Sequence, residues 1–160
     1  LLVGKKSFIG KMNKNHLQRA LRCGKLTLAA LEGTLRRYRQ TPDITQEIPT
    51  LRSFTRAVDE IGELGEELLP RLKSALGDGY RLTLETSTSQ IGSGALPTEE
   101  LPTVVIAITH TTLNANRIAA DFRRADPPII GRIQDDRFLL DLRTIFDPED
   151  LLPKFNDDRR

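Results

Sequence analysis

Arg19 and Arg22, in Arg-Ala-Leu-Arg, are the residues whose type and spacing point most directly to chemistry. Three positions apart on a helix, two guanidiniums share one face, and their forked donors can grip a phosphate or a similar oxyanion from both sides. Lys25 stands close enough in sequence to join them. The plainer reading of such a pair is a solvated basic helix face, and spacing alone favours it. Cys23 lies among these cations, a setting that favours a reactive thiol, but a small semi-buried filler is the simpler expectation. His16 and His110 stand apart with no second ligand at metal spacing, so no metal site is expected. Gly92-Ser93-Gly94 is Gly-rich yet lacks the Lys and the strand-to-helix setting of a phosphate loop, which leaves a flexible turn. Asp135, Asp136 and Asp141 look like a carboxylate cluster, but two read as turn residues and the third as alternating out of a strand. The basic residues from Arg132 to Arg143 read as surface ion pairs of little energetic weight.

The elements that must position these groups follow from hydrophobic period. Residues 5–22 suggest two short helices interrupted around Asn13, Asn15 and His16. Leu28, Leu31, Leu35 and Tyr38 then recur at helical spacing between Lys25 and Arg39, with Arg36, Arg37 and Arg39 placed to complement the helix dipole. A linker, residues 41–49, separates this region from a long stripe of Leu51, Phe54, Val58, Ile61, Leu64, Leu68, Leu72 and Leu76. Pro70 falls inside that stripe and is expected to kink or split the helix. Tyr80, Leu82 and Leu84 alternate as in a half-buried strand, residues 87–103 read as a Ser/Gly/Pro-rich loop, and Val104–Ile108 read as a strand buried on both faces. A helix at 115–122, two strands at about 129–134 and 137–142 joined by Asp135-Asp136, and a short helix at 148–155 complete the order. The predicted fold is α+β: helices first, then a small domain with helices packed on a mostly antiparallel four-stranded sheet.

Charge is divided along the same line. The chain of 160 residues has a formal charge of +2, but residues 1–39 hold ten basic side chains against the single acid Glu32, a net +9, so the remainder carries −7. The one cysteine excludes an internal disulfide framework, and the absence of Trp leaves few base-stacking platforms. No apolar run approaches the ~20 residues of a bilayer span, and no signal peptide opens the chain, so the expectation is a soluble cytoplasmic protein without a membrane partner. The chain begins Leu-Leu-Val-Gly and has its only Met at position 12, so it reads as a piece of a longer polypeptide.

In order along the chain, Leu-Val-Gly-Lys-Lys at 2–6, Arg-Ala-Leu-Arg at 19–22, Lys-Leu-Thr-Leu-Ala-Ala-Leu-Glu at 25–32, Ile-Pro-Thr-Leu-Arg at 48–52, Glu-Glu-Leu-Pro at 99–102, and Asp-Pro-Pro-Ile-Ile-Gly-Arg-Ile through Leu-Leu-Asp-Leu-Arg-Thr at 126–144 resemble bacterial selenocysteine synthase, L-seryl-tRNA(Sec) selenium transferase. The family departs from this chain at Cys23-Gly24, commonly Val-Asp, and at Gly92-Ser93-Gly94-Ala95, commonly Gly-Gly-Gly-Ser. The resemblance implies a fold-type-I, aspartate-aminotransferase-like pyridoxal 5'-phosphate enzyme. Residues 1–40 would end its large cofactor domain, 41–49 would link, and 50–160 would form a small C-terminal domain. It further implies β-elimination of the seryl hydroxyl of seryl-tRNA(Sec) followed by attack of selenium from selenophosphate, with Arg19 and Arg22 holding that donor and Lys25 as a secondary contact. The family's Schiff-base lysine lies upstream of the position matching Leu1. No catalytic residue is therefore expected in this chain, and the isolated chain is expected to be inactive. Family members assemble as homo-oligomers built from dimers. Two other readings fit the same residues: a related pyridoxal-phosphate lyase acting on a phosphorylated amino compound, and a non-catalytic interaction module.

Overall fold

A computed structural model describes residues 2–92 and 96–155. The chain forms two compact units that divide between Ile44 and Thr45.

The first unit is helical. Helix α1 (Lys6–Asn13) and the single turn α2 (Leu17–Ala20) are separated where the sequence places its Asn residues, and the Asn15 side chain accepts the Leu17 N–H at 2.9 Å. Helix α3 (Lys25–Gln40) matches the expected Lys25–Arg39 helix and places Arg37 and Arg39 in its last turn. None of these three helices contains a buried residue. A short turn, α4 (Ile44–Glu47), occupies part of the expected linker.

In the second unit the expected long helix is two. Helix α5 (Pro49–Thr55) ends at Arg56 and α6 (Val58–Leu76) starts after Ala57, both junction residues having extended ψ values of 129° and 144°. The break is held by polar contacts that periodicity does not reveal. The Arg56 guanidinium donates to the Leu142 and Ile145 carbonyls, while the Arg56 carbonyl accepts from Arg143. Pro70, in contrast, does not split α6. It sits on the exposed side, and the buried residues Ile61, Leu64, Leu68, Leu72 and Leu76 on either side of it fix the helix against the sheet.

The sheet is antiparallel throughout, in the order β1-β2-β4-β3. Strand β1 is Tyr80–Ile91, β2 Leu96–His110, β3 Arg132–Gln134 and β4 Arg137–Asp141. The expected loop at 87–103 is instead the far half of a long hairpin, with Ser87 opposite Thr103 and Gln90 opposite Glu100. Its polar side chains are strand residues with partners: Ser89 and Thr103 both donate to Asp141, at 2.6 and 2.8 Å. Val104–Ile108 is buried on both faces as expected, at most 6% exposed. Asp135 and Asp136 adopt φ of 51° and 56°, the left-handed pair of a tight hairpin. Strand β3 is shorter than expected, and just before it Gly131 lies so close to Phe138 and the Leu139 carbonyl that a Cβ would come within 2.4 Å of backbone.

Helix α7 (Ala115–Arg123), capped by Asn114 accepting from the Arg117 N–H, joins α6 on one face of the sheet. Ile61, Leu68, Leu72, Ile106, Ile108, Ile118, Phe122, Phe138, Leu140 and Leu142 form the core between them. Val105, Ala107 and Leu139 make a smaller buried cluster. The expected terminal helix is only a 3-10 turn at Pro148–Leu151, after which Lys154 pairs with Asp126 through backbone hydrogen bonds at 2.9 and 3.3 Å.

Candidate anion-binding site

Arg19 lies in the last turn of α2, and α2 ends at Ala20. Leu21 closes that turn, and residues 22–24 lead in non-helical conformation to α3, with Gly24 at its N-cap. Arg22 is therefore not on the same helix as Arg19, and the shared-face argument from three-residue spacing does not hold. What the chain does provide is a seven-residue stretch, 19–25, carrying three cations at the end of one helix and the start of the next. Arg19, Arg22 and Lys25 are all exposed, and none of their side chains has a hydrogen-bond or ion-pair partner among the described residues. Helix α3 has no side-chain cap, so the first N–H groups of its 16 residues add a partial positive charge beside them. Uncommitted guanidiniums next to an open helix N-terminus suit an anion with several oxygens.

The contrast with the arginines of the second unit is informative. Arg143, expected at the surface, is 4% exposed. Its guanidinium donates to the Ser53 carbonyl at 2.9 Å, to the Arg56 carbonyl at 3.1 Å and to the Pro102 carbonyl, while its Nε has no partner among the described residues. Burial pushes its pKa down, nearby Asp141 pulls it up, and Arg56 adds to the downward effect. Arg143 therefore clamps α5, β2 and the turn after β4. Asp141, the supposed member of a carboxylate cluster, accepts from Ser89, Thr103, Arg132 at 2.8 Å and the Arg143 N–H at 3.1 Å. It is a structural hub, while Asp135 and Asp136 serve the turn. Sequence reasoning missed this role for Arg143. The one local signal was its place beside the apolar residues Leu139, Leu140 and Leu142.

The remaining candidates also have structural roles or none. His110 accepts the Thr112 and Leu113 N–H groups at Nδ1, each at 3.1 Å, and packs edge-on against Tyr80. His16 precedes α2 and is exposed, and Cys23 is an exposed free thiol rather than a semi-buried filler. Among the described residues no group of three or more His, Cys, Asp or Glu side chains could hold a metal. Gly92 turns with φ of 59°, and Ser93 and Gly94 lie outside the described residues. A hollow of about 510 Å³ runs along α3 past Leu28, Leu31, Leu35 and Arg39, but its Arg36 is tied to Glu32 at 2.8 Å. No helix among the described residues is long and apolar enough to cross a membrane.

Comparison with known proteins gives a consistent result. A family model described as L-seryl-tRNA selenium transferase matches residues 1–146. The L-seryl-tRNA(Sec) selenium transferase of Edwardsiella ictaluri is 44% identical over 155 residues, covering 95% of this chain and 34% of that protein. The corresponding protein of Proteus mirabilis is 41% identical over 155 residues, with the same coverage of 95% and 34%. That of Geotalea uraniireducens is 44% identical over 149 residues, covering 93% and 32%. The chain spans about a third of the length of the curated relatives it matches.

Proposed function

The chain belongs to the L-seryl-tRNA selenium transferase family, and from that premise we propose that it is the C-terminal part of an enzyme converting seryl-tRNA(Sec) to selenocysteinyl-tRNA(Sec) with selenophosphate. The observation that carries the reading to specific residues is the uncommitted state of Arg19 and Arg22 in a chain whose other unit ties its buried and half-buried arginines into hydrogen bonds. Each would hold two donor oxygens by charge-assisted bonds, orienting the donor and neutralising its charge, with Lys25 as an outer contact. In this reading residues 1–40 end a large domain of the aspartate-aminotransferase type, 41–49 link, and 50–160 form the small domain. The whole protein is a cytoplasmic homo-oligomer built from dimers.

The proposed cofactor of that enzyme is pyridoxal 5'-phosphate, which supplies electron withdrawal for β-elimination. The residues present do not fit it. The helices of the first unit have no buried side chain with which to wall a pyridine ring, and all seven lysines of the chain are exposed. The 160-residue chain by itself is proposed to be inactive.

The test uses the full-length enzyme. Arg19→Ala and Arg22→Ala are each expected to raise the selenophosphate concentration needed for half-maximal rate by roughly ten- to a hundredfold, the loss of one charged hydrogen-bonding group. Cofactor absorbance should be unchanged. Wild-type activity of both variants at limiting donor rejects the assignment.

A further inference from the structure

Strand β1 is an edge of the sheet and runs for 12 residues, whereas the opposite edge, β3, has three. Exposed edges are ordinarily blunted by brevity, Pro, Lys, a bulge or an inward-pointing charge. The β3 edge is blunted: it is short, and its Arg132 turns inward to Asp141 at 2.8 Å. From Tyr80 to Gln90, β1 has no Pro and no Lys, its register with β2 shifts only between Gln90 and Ile91, and its one inward-turned charge is Glu85, held by Arg137 at 2.8 Å. Among the described residues, no hydrogen bond other than those of the β1–β2 ladder reaches the backbone of residues 81–87. The result is a long edge whose outer backbone groups, from residue 81 to 87, have no partner among the described residues.

We propose that this edge pairs with the same edge of a second copy, antiparallel and about a two-fold axis at Thr83. The side chains select both occupant and register. Arg81 and Glu85 are the only charged residues of β1, and they lie on the same face, two positions either side of Thr83. A two-fold at Thr83 sets Arg81 of each copy opposite Glu85 of the other, Thr83 opposite Thr83, and Leu82 opposite Leu84. Opposite charges, Thr–Thr and aliphatic pairs directly across an antiparallel pair are the stabilising combinations. A two-fold at Arg81 or at Glu85 sets like charges face to face, and no other centre brings the two charges together. Arg81 is exposed and has no partner among the described residues, while Glu85 is held in place by Arg137, 2.8 Å from both its oxygens, and by Thr83 at 2.7 Å. Meeting through the α6 faces instead opposes Asp59, Glu60, Glu63, Glu66 and Glu67 with their own copies, all of them exposed. Edge pairing creates an eight-stranded sheet with α6 and α7 of both copies on one face.

Site-directed disulfides in the 160-residue chain test the register, with Cys23→Ser removing the native thiol. Residues directly opposite place their Cβ atoms about 4.5–5.5 Å apart, near disulfide reach. Under mild oxidation Thr83→Cys should become a covalent dimer. Arg81→Cys and Glu85→Cys should each form no covalent dimer alone and cross-link when mixed. Independently, Arg81→Glu should weaken dimerisation by roughly tenfold in sedimentation equilibrium, within the range of two exposed charge pairs. Failure of Thr83→Cys to cross-link, equal cross-linking of all three variants alone, or an Arg81→Glu dimer as tight as wild type each overturns the proposal.

Discussion

In α3, Leu28, Leu31, Leu35 and Tyr38 recur at helical spacing and are 38–54% exposed. In α6, Ile61, Leu64, Leu68, Leu72 and Leu76 recur in the same way and are at most 9% exposed. The two stripes are equally good evidence of a helix and differ only in what lies against them. Polar groups repeat the contrast: Arg19, Arg22 and Lys25 have no partners among the described residues, whereas Arg143 is bound by three carbonyls from two separate segments of the chain. Periodicity reports that an apolar face exists; it carries no information about the partner, because burial is a property of two surfaces.

The largest effect that can break this comparison is a cavity. Leu68→Ala or Phe122→Ala, both at fully buried positions, should destabilise the chain by about 2–5 kcal/mol, since the packed sheet and helices relax only partly. Leu28→Ala in α3 should change it by less than about 0.5 kcal/mol, as for an exposed site. Urea unfolding followed by circular dichroism measures both. Equal losses at Leu68 and Leu28 would show that the first unit is packed in solution.

The sequence made this much of the fold legible because apolar period and turn chemistry are local. Helices α3 and α7, the buried strand Val104–Ile108 and the Asp135-Asp136 turn are specified by residues within a few positions of one another. What escaped prediction depended on contacts from afar. Ser87, Ser89 and Thr103 look like a loop until Asp141 and Arg132 are placed beside them. The α5–α6 break at Arg56 needs carbonyls 86 and 89 residues away. At the candidate site, the residue types Arg19 and Arg22 came from the sequence, but the helical geometry assumed for them did not survive the end of α2 at Ala20.

A middle-sized effect sharpens the comparison of arginines. Arg143→Ala leaves the carbonyls of Ser53, Arg56 and Pro102 without their donor and should cost about 1–3 kcal/mol. Arg143→Lys should recover only part of this, because one ammonium on a flexible stem does not reproduce the planar fork. Arg22→Ala, made in the same background, should leave the unfolding midpoint where it was. A matching loss at Arg22 would mean that its guanidinium is committed to the fold and not available to an anion.

The smallest effect separates the ion pairs of the two units by pH. Glu85 has its pKa pulled below the ordinary carboxylate value, first by the Thr83 hydroxyl and then by Arg137, against a smaller opposing effect of burial. A depressed pKa means that the folded chain binds this proton less readily than the unfolded chain. The pair's contribution is therefore fully present above the unfolded glutamate value, roughly 4.3, and is lost as pH falls through the lower folded value. Both side chains are 35% exposed, so screening holds the contribution to about 0.5 kcal/mol. Glu85→Gln should accordingly be slightly less stable than wild type at pH 7, and the difference should shrink towards pH 3. In the first unit, Glu32 and Arg36 pair at 2.8 Å with side chains 65% and 66% exposed, so Glu32→Gln should give a still smaller difference that 0.5 M salt removes. A Glu85→Gln difference that stays constant from pH 7 to pH 3 would show that the carboxylate's charge contributes nothing, leaving the neutral hydrogen bonds to Thr83 and Arg137 to hold the β1 side of the sheet.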